Sequence, residues 1–230
     1  MNYRIISILI VALSFNGKAL SQWTDYGAWT SATVSQKVAK KTYASASLAM
    51  RWDRDFTRLG SSFVDGDISR EVLDDLDLAI SLRAGTSRTD EYQWELQRRF
   101  SANARYKYDL GKKSALSLRA QYQTGHKGPR TNFQGIEFSQ AARTKLTYSY
   151  KASKKYRISL STEAFFRPVY SFYEWSDWRA RISLRKKLSK RKYLSIAYQV
   201  ESPRGGPDPW VEHVIICNFS LDKKRRKSEN

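Results

Sequence analysis

Cysteine is almost missing from this sequence: Cys217 is the single thiol in 230 residues. One cysteine can build neither an internal disulfide framework nor a cysteine-based zinc cluster. Histidine is nearly as scarce, with His126 in a Gly-His-Lys-Gly stretch and His213 near the end, and no His-x-x-Glu-His spacing joins them. A Walker phosphate loop and a G-x-S-x-G nucleophile elbow are also missing. The sequence therefore names no catalytic residue, no cofactor and no metal. Past the first residues no apolar run approaches the roughly eighteen residues of a membrane-spanning helix. Acidic side chains number 22 against 41 basic ones, a net charge of +19. Mean hydropathy is −0.62, yet 41% of the residues are hydrophobic, too many for a disordered polymer. Such hydropathy argues against a helical membrane protein but does not exclude a membrane β-barrel, whose strands are apolar on one face only.

What is present first is an address. Arg4 precedes the apolar stretch 5–15 (IISILIVALSF), and Ala19 and Ser21 are small residues at the −3 and −1 positions of a cleavage site before Gln22. This is the layout of a secretory signal peptide over residues 1–21, too short to anchor by spanning. No cysteine near the site suggests a lipoprotein. Removing 1–21 takes Arg4 and Lys18, leaving 39 basic against 22 acidic side chains, a charge of +17. A basic chain ordinarily suggests nucleic acid. Export points instead to outer-membrane lipid and lipopolysaccharide, acidic glycans or small anionic solutes, with no nucleic acid.

From Gln22 onward the hydrophobic period is two. Leu116, Leu118, Ala120 and Tyr122 alternate with Ser117, Arg119 and Gln121. Tyr156, Ile158, Leu160, Thr162 and Ala164 alternate with Arg157, Ser159, Ser161, Glu163 and Phe165. Trp178, Ala180, Ile182 and Leu184 alternate with Arg179, Arg181, Ser183 and Arg185. Ten segments read as strands: 24–37, 42–53, 72–84, 92–108, 114–123, 138–150, 156–167, 178–187, 193–201 and 211–221. Many reach the roughly 9–11 residues that a tilted strand needs to cross a bilayer, against about 5–6 for ordinary strands. Aromatics fall near segment ends (Tyr106 and Tyr108, Tyr148 and Tyr150, Phe165 and Phe166, Trp175 and Trp178, Tyr193 and Trp210), as interfacial girdles would. A soluble sandwich core would explain any one of these aromatics equally well.

Short basic turns at 38–42, 109–113, 151–155 and 188–192 contrast with longer loops near 58–69, 124–135, 168–174 and 202–209. That is the pattern of an outer-membrane barrel with its short turns periplasmic. Ten strands, however, put the turn at 109–113 on the opposite side from the other three. A hidden strand near 56–64, with Asp65-Gly66-Asp67 as its turn, restores the parity but makes the number odd, whereas single-chain bacterial barrels are even. The expectation is an all-β, antiparallel up-and-down transmembrane barrel of about 10–12 strands over 22–221, with the topology of 54–91 open, followed by a basic disordered tail, 222–230.

The Gly27-Ala28-Trp29-Thr30 start and the hairpins VSQKVAKKTYASASLAMRW, YKYDLGKKSALSLRAQYQ and KKLSKRKYLSIAYQ resemble a family of exported proteins from Bacteroidetes, described as a domain of unknown function and expected to form outer-membrane β-barrels. The resemblance covers most of the mature chain and fits least well around Asp74, Asp75 and Asp77. It implies a location in the outer membrane of a Gram-negative bacterium and a fold; it implies no activity.

The inward phase is the most informative feature. It carries Arg99, Arg105, Arg119, Arg143, Arg157, Arg179, Arg181 and Arg185, opposed on those strands by Glu163 and few other acids. Arginine networks could fill a narrow barrel as a polar core, or rings of basic side chains could line an anion-favouring passage. The leading reading is thus a small outer-membrane barrel that is either such a passage or a structural or interaction element of the envelope, and not an enzyme. The alternatives are an exported soluble β-protein holding anionic glycan or lipopolysaccharide, and a lipid-modifying barrel enzyme using His213 or a loop serine.

Overall fold

A computed structural model describes residues 23–88, 93–128, 137–169, 172–203 and 210–223; the expected signal peptide and nearly all of the basic tail lie outside them. Eleven strands make up the described chain: β1 (Trp23–Ala39), β2 (Thr42–Asp53), β3 (Arg58–Leu73), β4 (Leu76–Arg88), β5 (Trp94–Asp109), β6 (Ser114–Gly128), β7 (Glu137–Lys151), β8 (Tyr156–Val169), β9 (Phe172–Lys187), β10 (Lys192–Pro203) and β11 (Trp210–Lys223). Each pairs with its chain neighbours, and β1 meets β11 to close a barrel.

The count resolves the parity conflict. The five turns at 40–41, 74–75, 110–113, 152–155 and 188–191 lie at one end, and the β2–β3 turn at 54–57 lies at the other. An up-and-down chain with an odd number of strands must close with its first and last strands parallel. β1 and β11 do so from Trp23↔Trp210 to Gln36↔Lys223, the one parallel pairing in an otherwise antiparallel wall. The loop expected at 58–69 is instead strand β3, and its turn is Asp74-Asp75, so the segment expected at 72–84 straddles that turn. Asp65-Gly66-Asp67 runs through mid-strand: Asp65 faces inward and takes a bidentate pair from Arg83 (2.7 and 2.9 Å), and Asp67 accepts from the Ser81 hydroxyl at 2.7 Å. Each carboxylate finds its donor on β4, so the strand tolerates residues that usually mark turns.

At the loop end, Arg54, Asp55 and Phe56 all have positive φ (48°, 54° and 65°). Three successive non-glycine residues in this region are costly. The turn is fastened from β1: the Asp25 carboxylate accepts the Arg54 and Asp55 amides at 3.3 and 3.1 Å, and the Tyr26 carbonyl accepts the Phe56 amide at 3.2 Å.

Polarity is inverted relative to a soluble domain. Val64, Ile68, Ile80, Leu82, Leu118, Ile196 and Ile215 point outward and are half or more exposed, while Glu163, Gln199, Asp177 and Ser101 are buried. The outward apolar residues come from strands all around the wall. Their band is far larger than the patches that soluble monomers leave uncovered.

Candidate functional site: the barrel interior

The strand register sets the inward residues in rows. Across β7, β8, β9 and β10 one row reads Lys145↔Glu163↔Arg179↔Glu201, alternating in sign. Glu163 is 3% exposed and gathers three arginines: Arg119 (2.8 Å) and Arg143 (2.7 Å) donate to Oε1, and Arg179 (3.4 Å) to Oε2. Arg179 also donates to Glu201 Oε2 from Nε and Nη2, at 2.9 and 2.6 Å. Arg143 reaches Gln123 at 3.0 Å. Arg181 donates to Gln199, which in turn donates to Glu201 at 3.3 Å. A single network thus joins β6 through β10.

Arginines inside the barrel also lie on aromatic rings, whether or not they hold a carboxylate. The Arg83 guanidinium stands 3.5 Å from the Phe63 ring centre, and Arg51 stands 4.9 Å from Phe63 and 4.0 Å from Trp29. Arg179 stands 5.5 Å from Trp29 and 4.8 Å from Phe165, and Arg143 stands 4.5 Å from Phe165. Arginine and aromatic side chains therefore alternate in a continuous stack, Arg83–Phe63–Arg51–Trp29–Arg179–Phe165–Arg143, within cation–π range at each step. Phe63 stands opposite Gly85 on β4, where a Cβ would lie 2.5 Å from the Phe63 Cα, a contact that only glycine avoids.

The stack borders two chambers. One, about 620 Å³, is lined by ten basic and four acidic side chains, a formal excess of six positive charges. The other, about 470 Å³, is lined largely by serine and threonine from β1, β7, β8 and β9. Trp29, Arg51, Arg83, Lys145 and Arg181 line both and so form the boundary between them. Among the described residues, Arg51, Arg99 and Lys145 close no ion pair with a carboxylate, while Arg83, Arg119, Arg143 and Arg179 do.

Arg99, Arg105, Arg119, Arg143, Glu163, Arg179 and Arg181 all line the larger chamber, Arg105 half-exposed and 3.3 Å from Asp77. Arg157 and Arg185 do not reach it; they sit at the short-turn mouth in a separate pocket of about 390 Å³. Phe165, expected among the girdle aromatics, is 7% exposed and points inward, and Tyr193 packs under Arg185 at 4.1 Å. Alternation alone does not single out Arg51, Arg83, Trp29 and Phe63. Trp29, Phe63 and Phe165 all occupy the polar phase of their strands, beside Ser31, Asp65 and Glu163, and a large ring on a polar phase is the signal that could find them. His213 stands away from the interior. Its ring stacks with Tyr26 (5.3 Å) and Tyr198 (5.9 Å), and the Tyr198 hydroxyl lies 2.6 Å from Nδ1. The trio bridges the β1–β11–β10 seam.

The fold and site define a closed all-β barrel with apolar side chains outward and charged side chains within. The chain belongs to the family described as protein of unknown function (DUF2490), whose model matches residues 26–212. No curated protein matches the chain. Among solved structures it is similar to the NanC porin (TM-score 0.45, 10% identity, 76% of this chain and 86% of that one covered). It is also similar to the β-domain of the Bordetella autotransporter BrkA (TM-score 0.49, 9% identity, 77% and 82% covered).

Proposed function

We propose that this chain is an outer-membrane barrel of a Gram-negative bacterium, exported by the signal peptide at residues 1–21, whose interior favours small anions. The observation that carries the reading is the larger chamber, with its excess of six positive charges and with Arg51, Arg99 and Lys145 in no ion pair among the described residues. Cations held in a low-dielectric enclosure attract anions far more strongly than the same groups in water. The outward band of exposed leucine, isoleucine and valine supports placement in a bilayer, and strands of 12 to 17 residues are long enough to cross one. The short-turn end then faces the periplasm. The chemistry is recognition and passage, not bond-making: His213 faces outward between two tyrosines.

The test has two stages. Outer-membrane recovery, with a gel-mobility shift on boiling in SDS, is expected. Recovery in the soluble periplasmic fraction with no shift overturns the barrel-in-membrane reading and favours a soluble protein that holds anionic glycan. In planar bilayers under a KCl gradient, the reversal potential is expected to show chloride preference. Arg99→Glu combined with Lys145→Glu should weaken or invert it, with the heat-shift assay confirming folding. An unchanged reversal potential, or no conductance from folded wild type, overturns the passage and leaves the interior as a polar core.

A further inference from the structure

The short-turn mouth carries a second charged feature that the passage does not use. About 20 Å along the wall from the alternating row, six residues further on each strand, β7, β8 and β9 present Lys151↔Arg157↔Arg185 directly opposite one another. Side chains opposed in this way have Cβ atoms about 5 Å apart, and like charges there are destabilising. No carboxylate separates these three. The pocket they line, about 390 Å³, adds Lys154, Lys155 and Lys187 and includes one acid, Asp222. Asp222 already accepts the Ser35 hydroxyl at 2.6 Å.

The pocket is also constructed. The Lys151 amide donates to the Lys113 carbonyl and the Lys187 amide to the Lys155 carbonyl, each at 2.8 Å, which ties the β7–β8 turn to both neighbours. The Ser153 hydroxyl accepts the Lys155 and Tyr156 amides at 3.1 and 3.2 Å, fixing the turn itself. The Arg185 guanidinium stands 4.1 Å from the Tyr193 ring centre, and its buried Nε–H has no acceptor among the described residues. Six cations converge from one turn and three strands with a single carboxylate among them. A multiply charged, tetrahedral oxyanion satisfies more of these donors than a carboxylate can.

We infer that this pocket is a phosphate-binding site, taking either the phosphate of an anionic lipid headgroup or free phosphate. Tyr156, on its rim, is an outward aromatic with the Lys186 ammonium 5.8 Å from its ring, so the pocket reaches the outer edge of the wall where headgroups would lie. The inference does not depend on the larger chamber conducting ions.

The test titrates inorganic phosphate onto the detergent-purified full chain by phosphorus NMR. In parallel, the chain is reconstituted in nanodiscs of phosphatidylcholine with or without phosphatidylglycerol, and the retained lipid is measured by native mass spectrometry. Two variants are compared: Arg157→Gln with Arg185→Gln in the pocket, and Lys112→Gln with Lys113→Gln on the same rim but outside it. Both lower the charge equally, and both must keep the heat-induced gel shift. Loss of binding by at least tenfold in the pocket variant alone supports the site. Phosphate line broadening identifies the free-phosphate source, and selective lipid retention without it identifies the headgroup. Equal loss in both variants reduces the site to diffuse rim charge and overturns it, as does no binding by wild type in either arm.

Discussion

Two charged rows on the same three strands obey opposite rules. Lys145, Glu163 and Arg179 alternate in sign and sit within the barrel; Lys151, Arg157 and Arg185, six residues further along, carry one sign only. The upper row is centred on a carboxylate: Glu163, 3% exposed, holds Arg179 of the row and Arg119 and Arg143 beside it, while Lys145 closes no ion pair among the described residues. The lower row opens to the mouth, where water and ligands can do what no carboxylate does. The difference teaches that the arginine excess of this chain is not one property. Part of it is bound in ion pairs and ring stacks, and part has only like charge opposite it.

The sharpest way to break this contrast is to remove the hub of the upper row. Glu163→Ala leaves Arg119, Arg143 and Arg179 facing one another in the interior, and deleting one partner of a buried ion pair costs roughly 3–5 kcal/mol. The expected result is a large fall in the urea midpoint in detergent micelles. A loss below about 0.5 kcal/mol, the level of an ordinary surface substitution, would show that water already solvates these arginines and that the row is not structural.

The lower row yields the converse experiment. Arg157→Glu converts Lys151↔Arg157↔Arg185 into the alternating pattern of the upper row. Opposed charges of unlike sign contribute about 0.2–1 kcal/mol, whereas like charges oppose pairing, so the variant should be modestly more stable than wild type while losing phosphate. Stabilisation with phosphate binding intact would detach the row from the site.

Both rows lie on strands whose inward face is legible in the amino-acid sequence alone, whereas β3 is not. Alternation places β5 to β11 in phase, which assigns Arg143, Glu163, Arg179 and their neighbours to one face. The same reasoning cannot place β3, because Asp65-Gly66-Asp67 and Asp74-Asp75 both look like turns. Only the donors supplied by Arg83 and Ser81 across the strand decide between them. Without β3, its Phe63 and the stack linking Arg83, Arg51 and Trp29 stay hidden too. Pairing across strands is a long-range fact: Arg119 and Glu163 are 44 residues apart, and Ser35 and Asp222 are 187. Local alternation shows which face a residue takes, but only the register shows which charges meet.

A last pair asks whether alternation or burial does the stabilising. Lys41 and Asp74, on adjacent short turns, form an ion pair at 2.7 Å with Asp74 93% exposed. Their hydrogen bond, more than the charge alone, holds the Asp74 carboxyl below its ordinary pKa and raises that of the Lys41 ammonium. The depressed carboxylate contributes above the ordinary aspartate pKa, and its share is lost as pH falls through the lowered value. The raised ammonium contributes below the ordinary lysine pKa, and its share is lost as pH rises through the raised value. Between those limits the pair is fully formed, yet water screens it on every side. Asp74→Asn should therefore shift the urea midpoint at neutral pH less than either substitution above and remove only a small acid-side slope from its pH profile. A loss rivaling that of Glu163→Ala would mean that sign alternation suffices by itself, and the contrast between the two rows would then owe nothing to the interior of the barrel.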